Sequence, residues 1–170
     1  MLHISRYHRG DRQIIPIRKA AAMEDGSRSD VLERFLRYVQ VDSQSDEHQE
    51  NQTPSTACQH DMARLLAEEL RELGCADAQA DEHAYVTAHF PASEGLPALG
   101  LCAHIDTSPD APASGVRPHV VHYEGGPLVA GVVNGTTIQT TPEEVPDLKQ
   151  FVGLDIVCSD GSTLLGADDK

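Results

Sequence analysis

The stretch Ala98-Leu99-Gly100-Leu101-Cys102-Ala103-His104-Ile105-Asp106-Thr107-Ser108-Pro109-Asp110 joins an apolar run, two chemically active side chains and a polar loop. A short uninterrupted apolar run reads as a strand buried on both faces. The sequence therefore predicts a buried strand over 98–103, with Cys102 as a small core residue. Such a strand delivers His104 and Asp106 to its C-terminal edge, where α/β sheets commonly place ligands. Their spacing of two puts both side chains on the same face. That arrangement suits a metal-bound imidazole whose second ring nitrogen is held by a carboxylate, fixing its tautomer. Taken alone the His-x-Asp triplet is a weak signal, because histidine has many structural roles.

Upstream of this stretch the pattern is helical. Ser29-Asp30 reads as a helix cap before Val31, Leu32, Phe35, Leu36 and Val39, which form one apolar stripe. Residues 42–53 carry no large apolar side chain and read as a loop. A second helix is expected over about 55–73, starting near Thr53-Pro54-Ser55-Thr56 with proline in its first turn. Met62, Leu65, Leu66, Leu70 and Leu73 form its expected buried face, and Gly74 its stop. Beyond it the period falls to two. Strands are expected in Ala84–Phe90, around Val120-Val121 and over Leu128–Val133, and a hairpin over Asp155–Leu165 turning at Ser159-Asp160-Gly161-Ser162. Helices followed by strands around a short apolar strand indicate an α/β layered fold.

A second candidate stretch is Leu164-Leu165-Gly166-Ala167-Asp168-Asp169-Lys170. Adjacent carboxylates after an apolar run could bridge two cations, which would offset their repulsion. Taken alone, the motif is better explained by an Asp-rich loop or a helix cap. Other motifs fail. Asp160-Gly161 lacks the acidic pattern and closing Glu of an EF-hand, and Gly125-Gly126 has no following Lys-Ser/Thr. The remaining histidines fit no ligand spacing. There is no G-x-S-x-G elbow and no Cys in an electropositive setting, so covalent nucleophilic catalysis has no candidate.

The 170 residues hold 13 Lys+Arg against 27 Asp+Glu, a formal charge of −14. Binding to a phosphate backbone depends on Lys and Arg displacing counterions, so nucleic acid is excluded as an expected partner. No apolar run approaches the length of a transmembrane helix, so no membrane partner is expected. The four cysteines (Cys58, Cys75, Cys102 and Cys158) form no C-x-x-C pair and read as reduced thiols of a cytoplasmic protein. Basic residues concentrate at the start, with Arg6, Arg9, Arg12, Arg18 and Lys19 facing only Asp11 before Met23. Residues 1–29 are therefore expected to be a leader: a disordered tail, an early-opened reading frame or a transit peptide. Residues 30–170 form the expected folded part.

Together these stretches resemble the peptidase T family, the tripeptide aminopeptidase branch of the di-zinc metallopeptidases that include glutamate carboxypeptidase. The resemblance runs from about Leu32 to Lys170. It rests on Glu33-Arg34-Phe35-Leu36-Arg37-Tyr38-Val39, Pro54-Ser55-Thr56, His104-Ile105-Asp106-Thr107-Ser108-Pro109-Asp110 and Thr163-Leu164-Leu165-Gly166-Ala167-Asp168-Asp169-Lys170. By motif, it implies His104 as ligand of one zinc, Asp168 as the carboxylate bridging two, and Asp106 as the residue orienting the ligand histidine. It implies a layered zinc-peptidase catalytic domain with a mixed central sheet, acting on short peptides. It also implies that this sequence is the N-terminal portion. The Glu-Glu pair that supplies the general base and a ligand, the later Asp and His ligands and an inserted domain are not matched. The chain by itself is then expected to be inactive. The alternatives are a related di-zinc hydrolase of N-acylated amino acids and a non-catalytic metal-binding or interaction remnant.

Overall fold

The computed structural model describes residues 25–90, 94–95 and 97–167. The basic stretch before Met23 and Asp168 lie outside the described residues.

Helix α1 spans Asp25–Tyr38 and helix α2 spans Gln59–Glu72. Asp30 lies inside α1 and does not cap it. Its carboxylate accepts from Arg34 Nε, one turn later, at 3.1 Å. Helix α2 begins later than its sequence suggests. The hydroxyls of Ser55 and Thr56, which would cap an earlier start, are committed to the preceding loop, and Cys58 at the N-cap makes no side-chain cap bond. The C-terminus ends as expected. Gly74 takes φ +103°, Gly74 N donates to Arg71 O at 3.0 Å and Cys75 N to Leu70 O at 2.9 Å. This is a Schellman closure, with the buried Cys75 packed beyond the glycine. The buried face of α2 is Gln59, Met62, Ala63, Ala67 and Glu69. Leu65 and Leu66 pack at its margin, while Leu73 turns to solvent.

Glu69 joins the two helices. Only 4% of it is exposed, and its carboxylate accepts from Arg34 Nη1, Arg37 Nη2 and Tyr38 Oη on α1. Below this clasp lies the main core, made of Tyr38, Val39, Met62, Val116 and Ala167 with Phe35, Val41, Leu65, Leu66, Ile105 and Leu165 around it.

The strands form three two-stranded antiparallel sheets among the described residues. β1 (Gln79–Ala80) pairs with β2 (Val86–Thr87) beside α2, so the expected Ala84–Phe90 strand shrinks to two residues. Ala84 sits at φ +59°, outside the strand region, which shortens it from the front. β3 (His119–Tyr123), β4 (Leu128–Val133) and β5 (Thr136–Thr140) follow, then the 3₁₀ turn Pro146–Phe151 and β6 (Leu154–Cys158). β4 and β5 form a hairpin whose turn, Asn134-Gly135, has φ +51° and +80°, the left-handed pair that a two-residue hairpin needs.

Two sequence expectations are corrected. Residues 155–165 do not form a hairpin with each other: β6 pairs with β3, His119 opposite Cys158 through Tyr123 opposite Leu154. The chain reverses after Asp160, but residues 163–165 find no ladder partner. Nor is 98–103 a buried strand. It runs as irregular backbone, with Leu99 85% and Leu101 73% exposed and Cys102 on the surface. An apolar run becomes a strand only where neighbouring backbone offers N–H and C=O groups, and no described strand lies beside it. The described residues thus combine helices with short antiparallel sheets, without a central sheet layer.

Candidate functional site

The expected pairing of His104 with Asp106 is present, although the strand meant to deliver it is not. His104 Nδ1 lies 3.0 Å from Asp106 Oδ1. A carboxylate only accepts, so Nδ1 carries the proton of this bond. Between them Ile105 turns the other way, into the core with Met62 and Tyr38. Alternation about that half-buried residue puts both polar side chains on the outward face, 53% and 38% exposed.

The segment after Asp106 is anchored by the loop before α2. Gln44 and Thr107 form an isolated parallel bridge, in which Thr107 N donates to Ser43 O at 3.1 Å and Ser45 N to Thr107 O at 3.0 Å. Ser45 Oγ adds a second bond to the Thr107 carbonyl at 3.0 Å. The Gln44 side-chain amide donates to Ser108 O at 3.0 Å and Ala111 O at 2.7 Å. From the other side, Thr56 Oγ1 donates to Gln44 O at 2.5 Å, and Gln59 Nε2 on α2 donates to Ser55 Oγ and Thr56 Oγ1, both at 3.1 Å. The Pro54-Ser55-Thr56 motif therefore links α2 to the His104 segment through Gln44. Periodicity in the sequence does not reveal this link. Its one visible trace is the run of hydroxyl and amide residues in an otherwise featureless loop.

The second motif arrives beside the first. Ala167 is in the core beside Ile105, and Leu164 N donates to Pro112 O at 2.7 Å. Gly166 packs against Thr107, where a Cβ would lie 2.9 Å from Thr107 Cγ2. The core and this contact bring the two motifs together as far as Ala167. Asp168, the expected bridging carboxylate, is the next residue and falls outside the described ones. Among the described residues no three His, Cys, Asp or Glu side chains converge on a common point. One oriented imidazole is too few donors for a catalytic zinc, which takes three protein ligands and a water. The described donors therefore do not complete a metal site.

Two other histidines are paired with carboxylates. His122 Nδ1 meets Asp155 Oδ1 across the β3–β6 ladder at 2.8 Å. His89 Nδ1 meets Asp77 Oδ2 at 2.5 Å, a bond that holds the Asp77 carboxyl below the usual range. No described helix is long and apolar enough to cross a membrane.

No family model matches the chain. Individual relatives do. The chain is 43% identical over 145 residues to peptidase T of Alkaliphilus oremlandii, an alignment covering 82% of the chain and 35% of that protein. It is also 43% identical over 145 residues to peptidase T of Caldanaerobacter subterraneus, covering 84% and 35%. With peptidase T of Geobacillus thermodenitrificans the identity is 40% over 146 residues, again covering 84% and 35%. The chain is thus a relative of peptidase T that spans about a third of the length of the curated relatives it matches.

Proposed function

We propose that this chain is the part of a peptidase T-like metallo-aminopeptidase that presents the first metal-binding groups, in an enzyme releasing the N-terminal residue of tripeptides. In this reading its helices and short sheets belong to a layered α/β catalytic domain in the cytoplasm, preceded by a leader within 1–29. His104 and Asp168 are the proposed zinc ligands, and Asp106 is the positioning residue for His104. The observation that carries the reading is the His104–Asp106 bond, on a segment anchored at Thr107 beside the Gly166-Ala167 turn. Identity of about 40% with peptidase T relatives supports the same reading.

The chemistry follows from the chain's own residues. With its proton held on Nδ1 by Asp106, His104 is in the tautomer that ligates a metal through Nε2. Ile105, half-buried against the core, sets the direction in which both flanking side chains point. A bound metal would supply an activated water and polarise the scissile carbonyl.

Zinc titration of the chain by calorimetry tests this. Weak binding is expected, reduced by at least about tenfold in His104→Ala and in Asp168→Ala, and within the 10–100-fold range of an outer partner in Asp106→Asn. Zinc affinity unchanged in both His104→Ala and Asp168→Ala would refute the assignment.

A further inference from the structure

We propose that Gln44 is a positioning residue for the His104–Asp106 pair, a role that deepens the function proposed above and rests on that reading. The backbone N and C=O of Gln44 and both N–H groups of its side-chain amide are engaged. Its backbone N donates to Asp42 Oδ1 at 3.1 Å, and its carbonyl accepts from Thr56 Oγ1. Its side-chain amide has two N–H groups and meets two carbonyls, Ser108 O and Ala111 O. These two carbonyls belong to the turn that follows Thr107, which is closed internally by Ser108 Oγ donating to Asp110 Oδ2 at 2.7 Å. The backbone of Gln44 is bridged to Thr107 itself.

The consequence for Asp106 is geometric. Its C-terminal neighbour Thr107 is held at both N and O by the strand-like run Ser43-Gln44-Ser45, and its N-terminal neighbour Ile105 is held in the core. Asp106 is therefore fixed from both sides, and the direction of its carboxylate toward His104 Nδ1 follows. Glutamine is the residue this position calls for. Glutamate has the same length but no N–H to give, and methionine keeps the stem but offers neither donor. Thr107, 6% exposed, and Ser43, at 0%, are both buried where the two runs meet.

The test uses the full chain without metal or substrate, so its failure is separate from failure of the zinc assignment. Long-range proton–nitrogen spectra report the His104 tautomer at one fixed pH, and amide exchange reports the Thr107 and Ser45 bonds. In the natural chain the Nδ1–H form should dominate. Gln44→Met and Gln44→Glu should each speed Thr107 and Ser45 exchange by about tenfold, the loss of one or two net hydrogen bonds. They should also shift His104 toward a mixture of tautomers. Ser45→Ala, which removes one bond to the Thr107 carbonyl, should act in the same direction but less. Gln49→Glu, on the same loop with an exposed side chain, serves as the charge control and should change neither. A His104 tautomer unmoved in both Gln44 variants would overturn the proposal. So would exchange accelerated equally along α2, which would make Gln44 a residue of general stability.

Discussion

Removing the Glu69 carboxylate should loosen α1 from α2, and the geometry allows its cost to be worked out. Glu69→Ala deletes the acceptor of three donors: Arg34 Nη1, Arg37 Nη2 and Tyr38 Oη. Hydrogen bonds to charged groups are worth about 1.5–3 kcal/mol each when intact and dry, but the three do not simply add. The Arg34 and Arg37 side chains are 24% and 50% exposed, so water can replace much of what they lose. Their share is nearer the 0–1 kcal/mol of surface pairs. Tyr38 is different. It is 8% exposed, and without Glu69 its hydroxyl is left with a desolvation cost of about 1–2 kcal/mol. The expected total is about 2–3 kcal/mol, or a fall in Tm of roughly 5–10 °C for a chain of this size.

Thermal and urea unfolding followed by circular dichroism should show that loss. Glu69→Gln, which keeps an acceptor for Tyr38, should show about half of it. Because Tyr38→Phe removes the orphaned hydroxyl, the double variant Tyr38→Phe/Glu69→Ala should be more stable than the sum of the single losses predicts, with a coupling of about 1 kcal/mol. Glu69→Ala within about 0.5 kcal/mol of the natural chain would refute the argument, since surface substitutions alone stay within that range.

Gly131→Ala should cost about 1–3 kcal/mol by melting, because its Cβ would lie 2.4 Å from the backbone oxygen of Asp160, which has no rotamer with which to move aside. Gly166→Ala should cost less, as the obstruction is the Thr107 methyl, but it should disturb His104 resonances where Gly131→Ala does not. Alkylation of the native chain followed by peptide mapping should label the exposed Cys102 first. Burial pushes the Cys75 and Cys158 thiols up, so both should react only as the chain opens. Stability should fall at both pH extremes, for opposite reasons. Burial first, then the bond to Glu69, raises Tyr38, so its contribution is complete below the ordinary tyrosine range near 10 and is lost as pH rises through the raised value. The Ser162 hydroxyl and backbone amide, with Arg117 nearby, lower Asp160, so its contribution is present above the ordinary carboxylate range and is lost as pH falls through the lowered value. Asp160→Asn should flatten the acid side of a Tm–pH profile and leave the alkaline side unchanged.

Local signals in this sequence were read well where the outcome depended on neighbours along the chain. The helix over α1, the glycine stop of α2 and the apolar run of β4 each follow from contacts within a few residues, although Val31 and Leu32 of the expected α1 stripe stay exposed. The Asn134-Gly135 turn and the β5 strand after it are missed by strand alternation alone, although Asn-Gly is the residue pair of a two-residue hairpin. Partner choice between distant strands was not legible. Asp155–Cys158 has the composition of a strand whether it pairs with residues 163–165 or with β3, and nothing within the segment distinguishes the two. Apolarity misled most at 98–103, because it states a preference for burial without naming what would cover Leu99 and Leu101.

The candidate site divides along the same line, for a chemical reason. A spacing of two on either side of an apolar residue was enough to bring His104 and Asp106 together, because burying Ile105 turns both outward whether or not a ladder forms. What holds the segment in place could not be read that way. It depends on bonds from Gln44, Ser45 and Thr56 to backbone groups, and an amide or hydroxyl in a polar loop has no periodicity to mark its target. Side-chain bonds to backbone also depend less on the receiving residue's identity, since every residue offers the same carbonyl. Ala111 could change without removing the carbonyl that the clamp uses, whereas Gln44 could not. Exposed loop residues that satisfy two distant carbonyls at once are therefore the positions where substitution should disturb the His104–Asp106 geometry most while changing the core least.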